Sequence, residues 1–177
     1  GIVGQNGAGK STLIKILIGK TLPVEGSIKW QKGVKIGYLD QYVDIPKGMT
    51  LIEFLHTAFA DLYQLNDQMN QLYQDYASEM DDKLLAKAGQ IQEKLDANNF
   101  YEIETEIDRV MNGLGLTEIG KDLVVSEMSG GQRSKIILAK MLLENPDVIQ
   151  LDEPTNYLDT AHIDWLIDYL NNYDGAA

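Results

Sequence analysis

The feature that most constrains this chain is the stretch GQNGAGKST at residues 4–12, which matches the pattern G-x-x-x-x-G-K-[ST]. Glycines allow consecutive backbone N–H groups to point at one phosphate, and a helix that begins directly afterwards adds its positive N-terminal end. Ile2 and Val3 predict the end of a buried strand, and residues 10–19 predict a helix with one apolar side that stops at Gly19. A strand, a glycine-rich turn and a helix in this order predict a phosphate-binding loop.

The residue types in this stretch are those that a nucleotide phosphate chain requires. Lys10 would supply a positive charge for the β- and γ-phosphates, and the Ser11 hydroxyl can ligate Mg²⁺. The predicted nucleotide-binding residues are Gly4, Asn6, Gly7, Ala8, Gly9, Lys10, Ser11 and Thr12.

Two adjacent acids, Asp152 and Glu153, follow an apolar run within LDEPTNYLD at residues 151–159. Such a pair is unfavourable at the end of a buried strand, because like charges repel and each carboxylate loses hydration. A nucleotide-bound Mg²⁺ accounts for both residues. Asp152 would bind the metal, and Glu153, which faces a different direction, would polarise a water at the γ-phosphate. Without the phosphate-binding loop, a solvated junction between strand and loop would be the simpler interpretation.

A third motif, MSGGQRSK at residues 128–135, predicts the start of a helix. Ser129 and Gln132 have the S-x-x-Q spacing of a capping box, and the helix that follows is apolar. Gly130 and Gly131 leave backbone N–H groups bare, which would make a second anion-binding site. Taken alone, the motif is explained equally well by an ordinary helix cap.

The remaining pattern alternates strands with helices and predicts an α/β domain with a mostly parallel sheet. Alternating apolar residues predict short strands over 27–30 and 34–38, joined by a turn at Gly33, as a small antiparallel β portion. Apolar residues three and four apart predict a helical hairpin over 61–98, with its turn in SEMDD at 78–82. Helices are also predicted over 100–110, 132–143 and 160–170, and a buried strand over 147–151.

Composition narrows the class of protein. The chain has 177 residues, which suits one domain with its own core. Its net charge of −12 argues against a nonspecific polyanion binder, although a local basic patch remains compatible with it. The absence of cysteine excludes a disulfide framework, a thiolate nucleophile and a cysteine zinc site. No stretch approaches the roughly 18 apolar residues that span a bilayer.

In order, GQNGAGKST, YLDQ, SGGQ and VIQLDEPTNYLD resemble the motifs of an ATP-binding cassette (ABC) ATPase domain with the P-loop NTPase fold. The resemblance covers nearly the whole chain and implies ATP and Mg²⁺ as cofactors and ATP hydrolysis as the activity. It matches Gln41 to the Q-loop glutamine, which touches Mg²⁺ and the attacking water, and Glu153 to the catalytic glutamate. It matches residues 129–132 to the signature loop, which grips the γ-phosphate of ATP on a partner cassette, and Asp159 to the D-loop aspartate at that interface.

The resemblance narrows to one branch. EPTN-x-LD, with Asn156, resembles the ABC-F branch of soluble tandem cassettes, which act on ribosomes and lack membrane domains. This resemblance implies a ribosome partner and a cytoplasmic location. The helical hairpin at 61–98 resembles the arm inserted in the first cassette of that branch, and we call it the arm hairpin. The implied division of the chain is 1–49 with the P-loop and Q-loop, 50–128 as a helical subdomain carrying the arm hairpin, and 129–177 with the signature helix, Walker B strand and D-loop.

Some members of the family pattern have no match in this chain. The switch histidine is absent, since His162 follows Glu153 too closely and His56 lies elsewhere. The adenine-stacking aromatic and the second cassette are absent too. We therefore expect a fragment truncated at both ends, with weak nucleotide affinity and negligible turnover by itself.

Two other interpretations remain open. A cassette that energises a membrane transporter fits the P-loop, Q-loop and signature equally well, although Asn156 and the polar arm hairpin disfavour it. A non-enzymatic scaffold, with the arm hairpin as a protein-binding module, predicts that variants unable to hydrolyse ATP keep function. The arm hairpin is acidic near its tip, which suits a basic ribosomal protein better than RNA.

Overall fold

A computed structural model describes residues 4–5, 7–39 and 43–176. Helices dominate this part of the chain, and two short strands lie between them. The helices are α1 (Lys10–Leu17), α2 (Leu51–His56), α3 (Ala60–Glu79), α4 (Asp82–Ala97), α5 (Ile103–Gly113), α6 (Gly130–Leu143) and α7 (Thr160–Asn171). The strands are β1 (Ile36–Tyr38) and β2 (Val148–Gln150), and short 3₁₀ turns lie at Thr57–Phe59, Phe100–Glu102, Val125–Glu127 and Pro154–Tyr157.

The two strands pair in parallel, with Gly37 opposite Ile149, which confirms the predicted α/β class. On the other edge of β2, Ala176 forms a further parallel bridge to Val148, and the Ile149 N–H donates to the Ala176 carbonyl at 2.7 Å. β2 therefore has partners on both sides and occupies an interior position of the sheet. Because β1 and β2 are parallel, their carboxyl ends lie on the same side of the sheet. Parallel α/β sheets bind their ligands at the carboxyl ends of the strands.

The strand predicted over 27–30 is wrong, because these residues form no strand in the structure. Ile28 and Trp30 stay 39% and 41% exposed, so the alternating pattern buries no common face. The Trp30 indole N–H instead donates to the Leu17 carbonyl at 2.9 Å and ties this segment to the end of α1. The predicted turn at Gly33 does form, with a φ of +91°. Among described residues outside the two strands, antiparallel pairing joins Thr50 and Val124.

A central core surrounds α6, which is apolar on most of its sides and buried by its neighbours. A helix that is apolar nearly all round belongs in a protein interior. α2 packs against α6 and begins with a capping box, in which the Thr50 hydroxyl accepts from the Glu53 N–H and the Glu53 carboxylate accepts from the Thr50 N–H. The largest fully buried side chains of this core include Leu51, Leu55, Ile107, Met111, Leu114, Leu116, Ile136, Leu138 and Leu142.

The arm hairpin forms as predicted from α3 and α4, which pack along their length. Met80 takes a left-handed conformation at the turn, and the Asp81 carboxylate caps α4 by accepting from the Lys83 N–H at 2.9 Å. A small separate core of Met69, Ala88 and Leu95 holds the two helices together. Within the described ranges, no helix is both long enough and apolar enough to cross a bilayer.

Candidate active site

The described part of the phosphate-binding loop has the backbone conformation that the motif predicts. Gly7 and Gly9 have φ values of +83° and +94°, which side chains rarely tolerate, and Gly9 directly precedes α1. A Cβ at either position would meet no atom within 4 Å, so backbone conformation rather than space requires glycine there. Asn6 lies outside the described residues.

Lys10 lies across its own loop. Its ammonium donates to the carbonyls of Gly4 at 2.7 Å and Gln5 at 2.9 Å. The first turn of α1 contains no acidic residue, and Ser11 and Thr12 are exposed there. An ammonium beside bare N–H groups at a helix N-terminus is suited to bind an anion.

The SGGQ motif forms the capping box that its spacing predicts. The Ser129 N–H donates to the Gln132 side-chain oxygen at 2.9 Å, and the Gln132 N–H donates to the Ser129 hydroxyl at 3.3 Å. A Cβ on Gly130 or Gly131 would meet nothing within 4 Å, so the surface over the first turn of α6 is open. The first turn carries no acidic side chain. This end of α6 can therefore accept an anionic group from outside the chain.

The adjacent acids lie just beyond β2 and differ in exposure. Asp152 is half-buried, and Glu153 is exposed with a left-handed backbone, φ +49° and ψ +52°. Glu153 is held from within its own turn, because the Asn156 amide donates to its carboxylate Oε2 at 3.0 Å. The two carboxylates thus have separate environments, as a division of work between them would require.

Asp159 caps α7 in the structure. Its carboxylate Oδ1 accepts from the His162 N–H at 3.2 Å and lies 2.7 Å from the His162 Nδ1. The His162 ring fills the space beside Gly115, where a Cβ would overlap it. This histidine therefore has a packing role between α7 and the turn after α5.

Gln41, the predicted Q-loop glutamine, lies outside the described residues. The described chain resumes at Val43, whose carbonyl accepts from the Arg133 guanidinium at 2.9 Å. Arg133 follows the SGGQ motif directly, so this bond ties the start of α6 to the segment that follows Gln41. Sequence reasoning missed this contact, because nothing in the local pattern pairs residues ninety positions apart.

The described residues contain no group of three or more histidine or acidic side chains placed to hold a metal ion. The predicted Mg²⁺ ligands that are described are the Asp152 carboxylate and the Ser11 hydroxyl. Both offer oxygen, and a half-buried carboxylate at a strand end is accessible. This set fits Mg²⁺, which is usually held by one or two protein oxygens together with phosphates and waters.

A cleft of about 730 Å³ lies between the base of the arm hairpin and α7, and no predicted site residue lines it. Arg109 lies over the Tyr169 ring there, 5.2 Å from its centroid. Burial raises the pKa of Tyr169, and burial followed by the nearby Tyr169 and Asp147 raises the pKa of Tyr173 to about 12. Both phenols are therefore neutral at physiological pH.

Comparison with known proteins places these motifs in one family. The family described as ABC transporter matches residues 1–156. An uncharacterized ABC transporter ATP-binding protein, YfmM of Bacillus subtilis (strain 168), is 45% identical over 179 residues, covering 99% of this chain and 35% of the relative. The energy-dependent translational throttle protein EttA of Escherichia coli (strain K12) is 34% identical over 178 residues, covering 99% of this chain and 32% of the relative.

Solved structures agree on the fold. The archaeal ribosome recycling factor aABCE1, crystallised in complex with the archaeal ribosomal stalk protein aP1, superposes with a TM-score of 0.60 at 26% identity, covering 98% of this chain and 27% of that one. The chain thus spans about a third of the length of the curated relatives and about a quarter of this structure.

Proposed function

Because the chain belongs to the ABC transporter family of ATP-binding cassettes, we propose that its protein binds and hydrolyses ATP and uses cassette closure to regulate translation on the ribosome. ATP binding by a cassette is the property of the family. We propose further that this site hydrolyses ATP, that the ribosome is the partner and that the protein lies in the cytoplasm.

ATP would bind as its Mg²⁺ complex at the start of α1. The loop N–H groups and Lys10 would hold the phosphates, and the Thr12 hydroxyl would donate a further hydrogen bond to a phosphate oxygen. Ser11, Gln41 and Asp152 are the proposed Mg²⁺ ligands. The ammonium position supports this assignment, because Lys10 already lies across the loop whose N–H groups would bind the phosphates.

Glu153 is the proposed catalytic carboxylate. Exposure lets it reach a water at the γ-phosphate, where it would orient the attack and accept a proton. The separate environment of Asp152 leaves that residue free for the metal. Two neighbouring acids would then serve different partners rather than compete for one.

Residues 129–132 would close over ATP bound to a second cassette, with Asp159 at the same interface. The open surface over the first turn of α6 and the absence of acidic side chains in that turn support this proposal. Binding energy would then be converted into domain movement, since only the closed arrangement uses both anion-binding ends.

One observation carries the translation part of the proposal. The relative named energy-dependent translational throttle protein aligns with 99% of the chain, so its alignment takes in the arm hairpin as well as the nucleotide motifs. We propose that the arm hairpin, within a helical subdomain at 50–128, contacts a basic ribosomal protein through its acidic tip. A second candidate is a transporter cassette with a membrane partner, favoured by the name of the Bacillus relative.

The test uses the full-length protein with Glu153→Gln and the corresponding change in any second cassette. We expect binding without hydrolysis, and therefore pelleting with ribosomes that depends on ATP. Glu118→Gln is the matched control, because Glu118 is exposed and belongs to none of the motifs, and this variant should hydrolyse ATP normally. Recovery in the membrane fraction regardless of ATP would establish the transporter candidate instead. Undiminished turnover by Glu153→Gln would remove Glu153 from the catalytic role.

A further inference from the structure

Asn156 contacts Glu153 twice across the short 3₁₀ turn Pro154–Tyr157. Its backbone N–H donates to the Glu153 carbonyl at 3.3 Å, and its side-chain Nδ2 donates to the Glu153 Oε2 at 3.0 Å. The first bond closes the turn, and any residue except proline can make it. The second bond depends on the asparagine side chain.

The chemistry of the pair fixes its orientation. An ionised carboxylate only accepts hydrogen bonds, so the amide must present its NH₂ group to Glu153. The bond engages Oε2 and leaves Oε1 available to a water. Because Glu153 is exposed, no surrounding packing would otherwise hold its side chain in one rotamer.

The backbone around Glu153 is also unusual. A left-handed φ of +49° is uncommon for glutamate, and the proline that follows restricts this residue further. Such conformations persist where the surrounding structure holds them, and they occur often at functional sites. The turn thus aims Glu153 through its backbone and then holds the carboxylate through Asn156.

We propose that Asn156 is a positioning residue, which holds the Glu153 carboxylate in the orientation that activates water. This inference rests on the proposed catalytic role of Glu153. Asn156 itself need not contact the nucleotide. Its effect would fall on the rate of the chemical step and leave ATP affinity unchanged, because the bond reaches only the carboxylate.

The experiment measures single-turnover hydrolysis and ATP affinity in the full-length protein, with the corresponding glutamate of any second cassette changed to glutamine. Asn156→Ala removes the donor, and we expect a tenfold to hundredfold slower chemical step, roughly the loss that follows when a reacting group is misplaced. Asn156→Asp keeps the shape but sets two carboxylates against each other, so a larger loss is expected. Asn156→His returns an N–H donor near the same place and should recover part of the rate.

Three controls separate positioning from general stabilisation. Asn112→Ala, an exposed asparagine on α5, should leave the rate unchanged. ATP affinity and the melting temperature of Asn156→Ala should match the wild type. In the Glu153→Gln background, Asn156→Ala should change neither ATP affinity nor the residual hydrolysis rate, because residues that act as a unit are not additive.

The outcomes distinguish the two proposals. A wild-type rate in Asn156→Ala, or a loss that appears in ATP affinity or melting temperature instead, would overturn the positioning role while Glu153 keeps its own. Hydrolysis that persists in Glu153→Gln would overturn both.

Discussion

The central core and the arm hairpin differ in how many apolar side chains they bury. The central core surrounds α6 and buries large side chains from α2, α5 and the turns between them. The arm hairpin has three buried residues, Met69, Ala88 and Leu95, which form a small cluster between its two helices. A thin interface of this kind contributes less stability, since burial scales with the apolar area removed from water.

This difference suits the two regions to different functions. Two of the three nucleotide motifs adjoin elements of the central core, since SGGQ begins α6 and the adjacent acids follow β2. An element that packs into a core holds the residues at its end in place. Beyond its base, which packs on the central core, the arm hairpin is held by contacts between α3 and α4. Elements of low local stability suit regulatory contacts.

The strongest test of this contrast is Leu138→Ala in α6. Leu138 is 2% exposed, so the substitution removes buried methyl groups and leaves a cavity. We expect a loss of about 3 to 4 kcal/mol in the opening free energy of α6 amides, measured by hydrogen exchange. Leu85→Ala, on an exposed position of the arm hairpin, is the control and should cost under about 0.5 kcal/mol.

A second test adds atoms to the central core instead of removing them. A Cβ on Gly113, at the end of α5, would overlap the Trp165 ring of α7. Gly113→Ala should therefore cost about 2 to 3 kcal/mol in the same exchange measurement. Adding Trp165→Leu should restore part of that loss, because the smaller side chain makes room, and strict additivity of the two changes would contradict the proposed clash.

Leu95→Ala applies the first test to the arm hairpin. Leu95 is fully buried, yet its neighbours can close partly around the gap because the hairpin has few other constraints. We expect a loss of about 2 kcal/mol, confined to α3 and α4, with α6 amides still protected. An equal loss of protection in α6 would show that the two regions unfold together.

Much of the fold was predictable because its signals are local. The spacing of apolar residues predicted α3 and α4. It also predicted that the two helices pack together, because each needs the apolar face of the other to bury its own. The S-x-x-Q spacing predicted both hydrogen bonds of the capping box between Ser129 and Gln132. The prediction of a strand at 27–30 was wrong because alternation indicates an apolar face but does not show that another element covers that face.

The candidate site was predictable in its residue types more than in its geometry. The sequence indicated that Glu153 and Asp152 needed different partners, and the structure gives them different exposure. The bond from Asn156 to Glu153 joins residues three positions apart across Pro154, a spacing that indicates a turn. The bond from Arg133 to Val43 carries no such signal, because tertiary packing alone brings them together.

The smallest expected effect is a stabilisation, and it comes from a glycine whose Cβ position is open, unlike that of Gly113. Gly89 lies inside α4, and a Cβ there would meet nothing within 4 Å. Gly89→Ala should therefore stabilise the arm hairpin by about 0.5 to 1 kcal/mol, because alanine loses less conformational freedom in a helix. Hydrogen exchange should slow in α3 and α4 and stay unchanged in α6. Since Gly113→Ala makes the same chemical change with the opposite outcome, the pair isolates packing depth as the cause. Destabilisation by Gly89→Ala would mean that the outer face of α4 is covered in the folded protein.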